Sequence, residues 1–243
     1  MSSRKRLKSG KWSFPILGFA MAASSTLHAD TPFDWEKAKQ ALAEVRKSPE
    51  SANRFVEEAK LLFYMGRASD NSDDKEKFLT QGETMAEKAK DADQKNPGAL
   101  FWWSANHGLL ISLHKNLACL TQIKVIEKLL LDVKALDPKY EHGGPDRALA
   151  SIYAAAPPVI SIGSPRKAKE SFLSAIRQDP NYPGNYVMYA EFLMNRGDCL
   201  EAKKLAHAAL DSPDLQLYPY EAPEWTRLAT RVIEKSAGRG CTQ

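Results

Sequence analysis

A 34-residue repeat constrains this chain more than any other feature. Between residues 145 and 214 two copies of one unit lie in register. Gly163 is matched by Gly197, Ala168 by Ala202, Ala175 by Ala209 and Ile152 by Tyr186, each 34 residues on. Pro180 and Pro213 close the two units, one residue out of step. A period of that length with small residues at fixed offsets belongs to stacked helical hairpins, where each unit buries its apolar face only against its neighbours. The chain is therefore expected to be all-α.

The rest of the sequence is read outward from that pair. From Asp34 to Lys47 the residues Trp35, Ala38, Leu42 and Val45 have helical spacing. Ser48-Pro49 is expected to cap the next helix, which carries Phe55, Val56, Ala59, Leu62 and Phe63 and ends near Gly66. After a polar loop over 69–74, a helix to about Gln94 turns Phe78, Met85, Ala89 and Ala92 inward. Asn96-Pro97 opens a helix with Trp103, Leu109, Leu110 and Leu113, and its partner over 118–136 places Ile123, Ile126, Leu130 and Val133 on one face.

Pro97 to Pro138 spans 41 residues and Pro138 to Pro180 spans 42, so the third unit carries an insertion centred on the Gly-rich connection 139–145. That unit pairs 145–160 with 165–179, and Pro157-Pro158 must kink or end its first helix. The fourth unit pairs 184–196 with 199–211, with Asp198 and Glu201 spaced as a capping box. A last helix with Trp225, Leu228, Ala229, Val232 and Ile233 on one stripe suits a terminal cap of the array. The architecture is a short superhelix of about four hairpins with N- and C-terminal flanking helices.

Arg4, Lys5, Arg6, Lys8 and Lys11 precede an apolar run from Trp12 to Ala23, and no acidic residue comes before Asp30. This reads as a secretory signal peptide over 1–29, followed by one domain over 30–243. Cleavage is expected after Ala29, with Ala22 as the competing site, and the address is the periplasm. Neither in nor just after the leader is there a cysteine to carry a lipid, so the protein is not read as a lipoprotein. Without the leader, 29 Lys and Arg face 30 Asp and Glu, so the basic isoelectric point belongs to the leader and gives no reason to expect nucleic acid as a partner.

No Walker loop, GxGxxG, HExxH, GxSxG or CxxC motif occurs, so the sequence gives no support to an enzyme, a cofactor or a metal centre. Candidate binding residues come from two places. On the helix after Pro97, Trp103 is assigned to packing, which leaves Trp102 as the surface-facing aromatic beside His107. Around the insertion, Tyr140, His142, Gly143, Gly144, Arg147 and Tyr153 cluster where tandem glycines relax the backbone and a helix start beside an arginine suits an anion. The glycines equally serve a plain turn between repeats.

Cys199 begins a helix of about 14 residues and the next should return antiparallel over a similar length, about 21 Å. That return carries Cys241 back to the level of Cys199, so a Cys199–Cys241 disulfide is expected, with Cys119 buried as a thiol.

The consensus positions of these units, with Tyr186, Tyr189, Ala190 and Leu193 in the fourth, resemble the tetratricopeptide repeat superfamily. A narrower resemblance runs through 133–176. There Leu136-Asp137-Pro138, Tyr140 and Gly143-Gly144 lead into Arg147-Ala148-Leu149, Ile152-Tyr153, Ala156-Pro157, Gly163 and Lys167-Ala168. This order of pieces is similar to the T component of TRAP transporters, the tripartite uptake systems for organic acids. The resemblance implies a non-enzymatic adaptor subunit, a homotrimer around a pore, and a periplasmic solute-binding protein as partner, with a small organic acid as ligand. Family members are often lipoproteins, and Ala150 stands where the family pattern carries glycine. A cell-envelope scaffold that organises assembly or wall-modifying complexes through protein contacts alone stays open beside it.

Overall fold

The structure, a computed structural model, describes residues 33–114, 118–238 and 240–241. The expected signal peptide lies outside the described residues. Among the described residues ten α-helices follow one another: α1 (Trp35–Lys47), α2 (Ala52–Ala68), α3 (Ser72–Ala92), α4 (Pro97–His114), α5 (Ala118–Leu136), α6 (Tyr140–Ala155), α7 (Pro165–Gln178), α8 (Pro183–Asn195), α9 (Cys199–Leu210) and α10 (Ala222–Gly238). A 3₁₀ turn over Pro213–Leu217 precedes α10. Among the described residues there is no strand, and no helix is long and apolar enough to cross a membrane.

The hairpins are α2/α3, α4/α5, α6/α7 and α8/α9, with α1 packed on α2 and α10 packed on α8 and α9. This is the tetratricopeptide-like array expected from the repeat. Helix α4 is buried on nearly every side, with Ala99, Phe101, Trp102, Ser104, Asn106 and Leu110 all inside. It forms the middle of the core because it touches α2, α3, α5 and α6 at once.

Several boundaries differ from the sequence reading, each for a local reason. Ser48 ends α1, its amide returning to the Val45 carbonyl at 3.1 Å. Ser51 caps α2 instead, its hydroxyl accepting from the Arg54 amide at 3.2 Å. Gly66 does not end α2, which continues to Ala68. A Cβ there would stand 2.8 Å from Leu79 Cγ, so the glycine serves close approach of α2 and α3 rather than a stop. Asn71 caps α3, its side chain accepting from the Asp73 and Asp74 amides.

Helix α3 buries Leu79, Gly82, Ala86 and Ala89; of the residues expected inward, Ala89 is buried, Phe78 and Met85 are half-buried against the core, and Ala92 is exposed. Asp198 occupies the N-cap of α9 but its side chain makes no capping bond, so the capping box is not formed. Pro157 and Pro158 do end α6, whose C-cap is Ala156.

Candidate functional site

The first helices of the hairpins, α2, α4, α6 and α8, share the inner wall of the array, and a cavity of about 130 Å³ lies between them. Its apolar surface comes from Phe63 and Tyr64 of α2, Phe101 and Trp102 of α4, Ile126 and Leu130 of α5, Tyr182 ahead of α8 and Trp225 of α10. Four charged side chains reach it: Arg67, Glu141, Arg147 and Glu221. An apolar cavity of about 150 Å³ is large enough for benzene. The space therefore suits a ligand on that scale and not a chain or a nucleotide.

One wall is an unusual turn. Glu141 (φ 46, ψ 48), His142 (φ 60, ψ 44) and Gly143 (φ 78, ψ 24) are all left-handed, inside what is otherwise the first turn of α6. Two of the three are not glycine, and each such residue costs about 1–2 kcal/mol. The surroundings hold the turn. Arg147 donates to the carbonyls of Glu141 (3.1 Å) and His142 (3.3 Å), and the buried Asn185 amide also donates to the His142 carbonyl at 3.0 Å. His142 Nδ1 meets Asp179 Oδ2 at 2.7 Å, and its ring stacks on Tyr182 with centroids 4.4 Å apart. At Gly143 a Cβ would lie 3.0 Å from the Ala175 carbonyl oxygen, so both conformation and space call for glycine.

The turn aims Glu141 at Lys60, 2.8 Å away. Burial would lower the Lys60 ammonium, but Glu141, with Glu57 and Glu221 farther off, outweighs it and holds the pKa above the usual lysine value. Lys60 stays charged, 5.6 Å above the Trp102 ring. The Trp102 indole N–H donates to the Tyr140 hydroxyl at 3.1 Å. Arg147 lies over the face of Tyr182, 4.7 Å from its centroid, and donates to Asn185 Oδ1 at 2.8 Å.

The wall opposite is closed from the far end of the chain. The Tyr64 hydroxyl donates to Glu221 Oε1 at 2.5 Å, and Arg67 pairs with Glu224 at 2.6 Å. Burial first, and the Glu221 charge second, push the Tyr64 hydroxyl well above its usual pKa, so the phenol keeps its proton and is the donor.

The residues singled out from sequence fall into three groups. Trp102, Gly144 and Arg147 line the cavity, and Tyr140 supports it through its bond to Trp102. His142 and Gly143 build the left-handed turn behind it. His107 and Tyr153 lie elsewhere. His107 stacks on Trp103 with centroids 4.4 Å apart and sits between Glu83 (2.8 Å) and Gln122 (3.3 Å). Tyr153 donates to Glu127 at 2.8 Å under Lys167.

The two tryptophans exchange their expected places. Trp102 is the buried one, 3% exposed, and Trp103 is half-buried with its indole N–H on Glu87. The repeat position points Trp103 inward, and a helix buried all round has no single apolar stripe that could overrule it. Tyr64, Arg67, Tyr182 and Glu221 were not singled out, and Trp225 was read only as part of the stripe of the last helix. Each sits on a helix or connection remote in sequence from the insertion, and no local pattern marks them for the cavity.

These features define an all-α hairpin array whose inner helices wall a small aromatic cavity with charged groups at its edge. Over residues 20–221 the chain matches the family of the TRAP transporter T-component, and it belongs to that family. It is thereby an accessory component associated with a TRAP transport system. Every cavity residue except Trp225 falls inside the matched span. No curated protein matches the chain.

Proposed function

We propose that the protein is a non-enzymatic periplasmic adaptor of a TRAP-type uptake system, which holds a small organic acid in this cavity and docks on the solute-binding protein. The observation that carries the reading is Arg147. It stands at the cavity edge with neutral hydrogen-bond partners, the Glu141 and His142 carbonyls and Asn185, so its positive charge is left for an incoming carboxylate. The apolar body of the acid would lie against Trp102, Phe101 and Tyr182. Binding and release then involve no bond making, in keeping with an accessory role beside the subunits that move solute.

Size-exclusion chromatography with light scattering tests the assembly. The chain from Asp30 onward is expected to run as a trimer, and to form a heavier complex when mixed with the TRAP solute-binding protein of the same organism. A stable monomer that forms no complex with that protein overturns the reading.

A further inference from the structure

The cavity holds a second charge that a simple acid leaves unanswered. Of its four charged groups, two are neutralised from outside the lining: Arg67 by Glu224 at 2.6 Å and Glu141 by Lys60 at 2.8 Å. The other two are Arg147 and Glu221. Among the described residues neither makes an ion pair. Arg147 has the neutral partners given above, and Glu221, 7% exposed, accepts from the Tyr64 hydroxyl. Tyr64 is a neutral donor and the Lys60 ammonium acts on Glu221 only from farther off, so this buried carboxylate has no cation in direct contact among the described residues.

Both groups meet the aromatic wall. Arg147 lies 4.7 Å from the Tyr182 ring centroid, Glu221 holds the Tyr64 hydroxyl, and Tyr182 and Tyr64 both wall the cavity, although the charges of Glu141 and Arg67 act on Tyr182 as well. The space between them is walled by Tyr64, Trp102, Tyr182 and Trp225, whose π faces suit a cation as well as an apolar body. With about 130 Å³ available, the part of the occupant that is enclosed is limited to roughly the bulk of a benzene ring.

We propose that the ligand is a small zwitterion, its carboxylate on Arg147 and its ammonium on Glu221 among the aromatic walls. This rests on the small-acid reading above and narrows it to α-amino acids and betaines of roughly the size of valine or proline. One molecule then satisfies both unpaired charges at once. A plain carboxylic acid answers only Arg147 and leaves Glu221 desolvated beside it.

Calorimetric titration of the chain from Asp30 onward decides between these ligands, using valine, proline and glycine betaine beside their singly charged counterparts: isovalerate and isobutylamine for valine, cyclopentanecarboxylate for proline, and 3,3-dimethylbutanoate for betaine. The expected result is that at least one zwitterion binds, and that its matched acid or amine binds at least ~100-fold more weakly, as for sites built to pair a polar group. Glu221→Gln keeps an acceptor for Tyr64, and is expected to lose zwitterion binding while retaining whatever binding isovalerate shows. Circular dichroism checks that this variant is folded. If an acid binds as well as or better than its zwitterion, the zwitterion is excluded and the acid reading stands. Where no compound in either set binds, the cavity is not a small-ligand site and both readings fall.

Discussion

Asp179 shows how a single side chain holds the turn that shapes the cavity. Burial alone would raise its carboxyl, but the bond from His142 and the backbone amides of Asn181 and Tyr182 hold it below the usual 3.8. A carboxyl whose folded pKa is depressed contributes stability that is fully present above the unfolded value and is lost as pH falls through the folded one. The stability difference between wild type and Asp179→Asn should therefore shrink as pH falls below 3.8. Urea denaturation across a pH series reads this directly, and a difference that persists unchanged into strong acid would refute the assignment. At this scale the sequence was a partial guide. Gly143-Gly144 and Arg147 stood out because glycine pairs and a nearby cation are local signals. That Glu141 and His142 would also be left-handed was not legible, since glutamate has no leaning to that conformation and histidine, though enriched there, still adopts it uncommonly.

Among the elements, α10 is the one held by covalent chemistry. Cys199 and Cys241 are joined by a disulfide with Cα atoms 6.2 Å apart, closing a separation of 42 residues. The chain turns at Gly240 (φ 66), where its amide returns to the Ala237 carbonyl and the Cys241 amide to Ser236, the paired bonds of a Schellman ending. Closing a loop of this length removes about 4 kcal/mol of unfolded-chain entropy. Reduction, or Cys241→Ser, is thus expected to lower stability by up to ~4 kcal/mol and to loosen α10 first. Thermal melts with and without reductant measure it, and coincident melts would mean the bond contributes nothing. Cys119 does not complicate the experiment, because its buried thiol donates to the Ile111 carbonyl at 3.2 Å. The helices were legible because period and proline positions are local. The α3 face was read in part: Ala89 is buried and Phe78 packs on α1 and α2, but Leu79 and Gly82 make the close approaches to α2 and α4, which only the packed partners reveal.

At the scale of the whole molecule, the array bends until its ends meet. Tyr64 and Glu221 are 157 residues apart in sequence, and Arg67–Glu224 and the Phe33–Tyr220 ring contact tie the same regions together. Tyr64→Phe removes the hydroxyl and leaves Glu221 buried without its donor, at a cost of about 1–3 kcal/mol. Equilibrium unfolding of this variant tests whether the contact closes the array, and an unchanged midpoint would show that it does not. The sequence by itself determined the class: a 34-residue period, proline stops and apolar stripes specify stacked helical hairpins, because each is a short-range pattern of burial and backbone geometry. It also marked the insertion that departs from the plain repeat. Only the tertiary structure decided what the insertion faces. The superhelical bend that brings α2, α8 and α10 around α4 and α6 is the sum of many small packing rotations. That bend, and no motif, places Arg147 and Glu221 at one cavity.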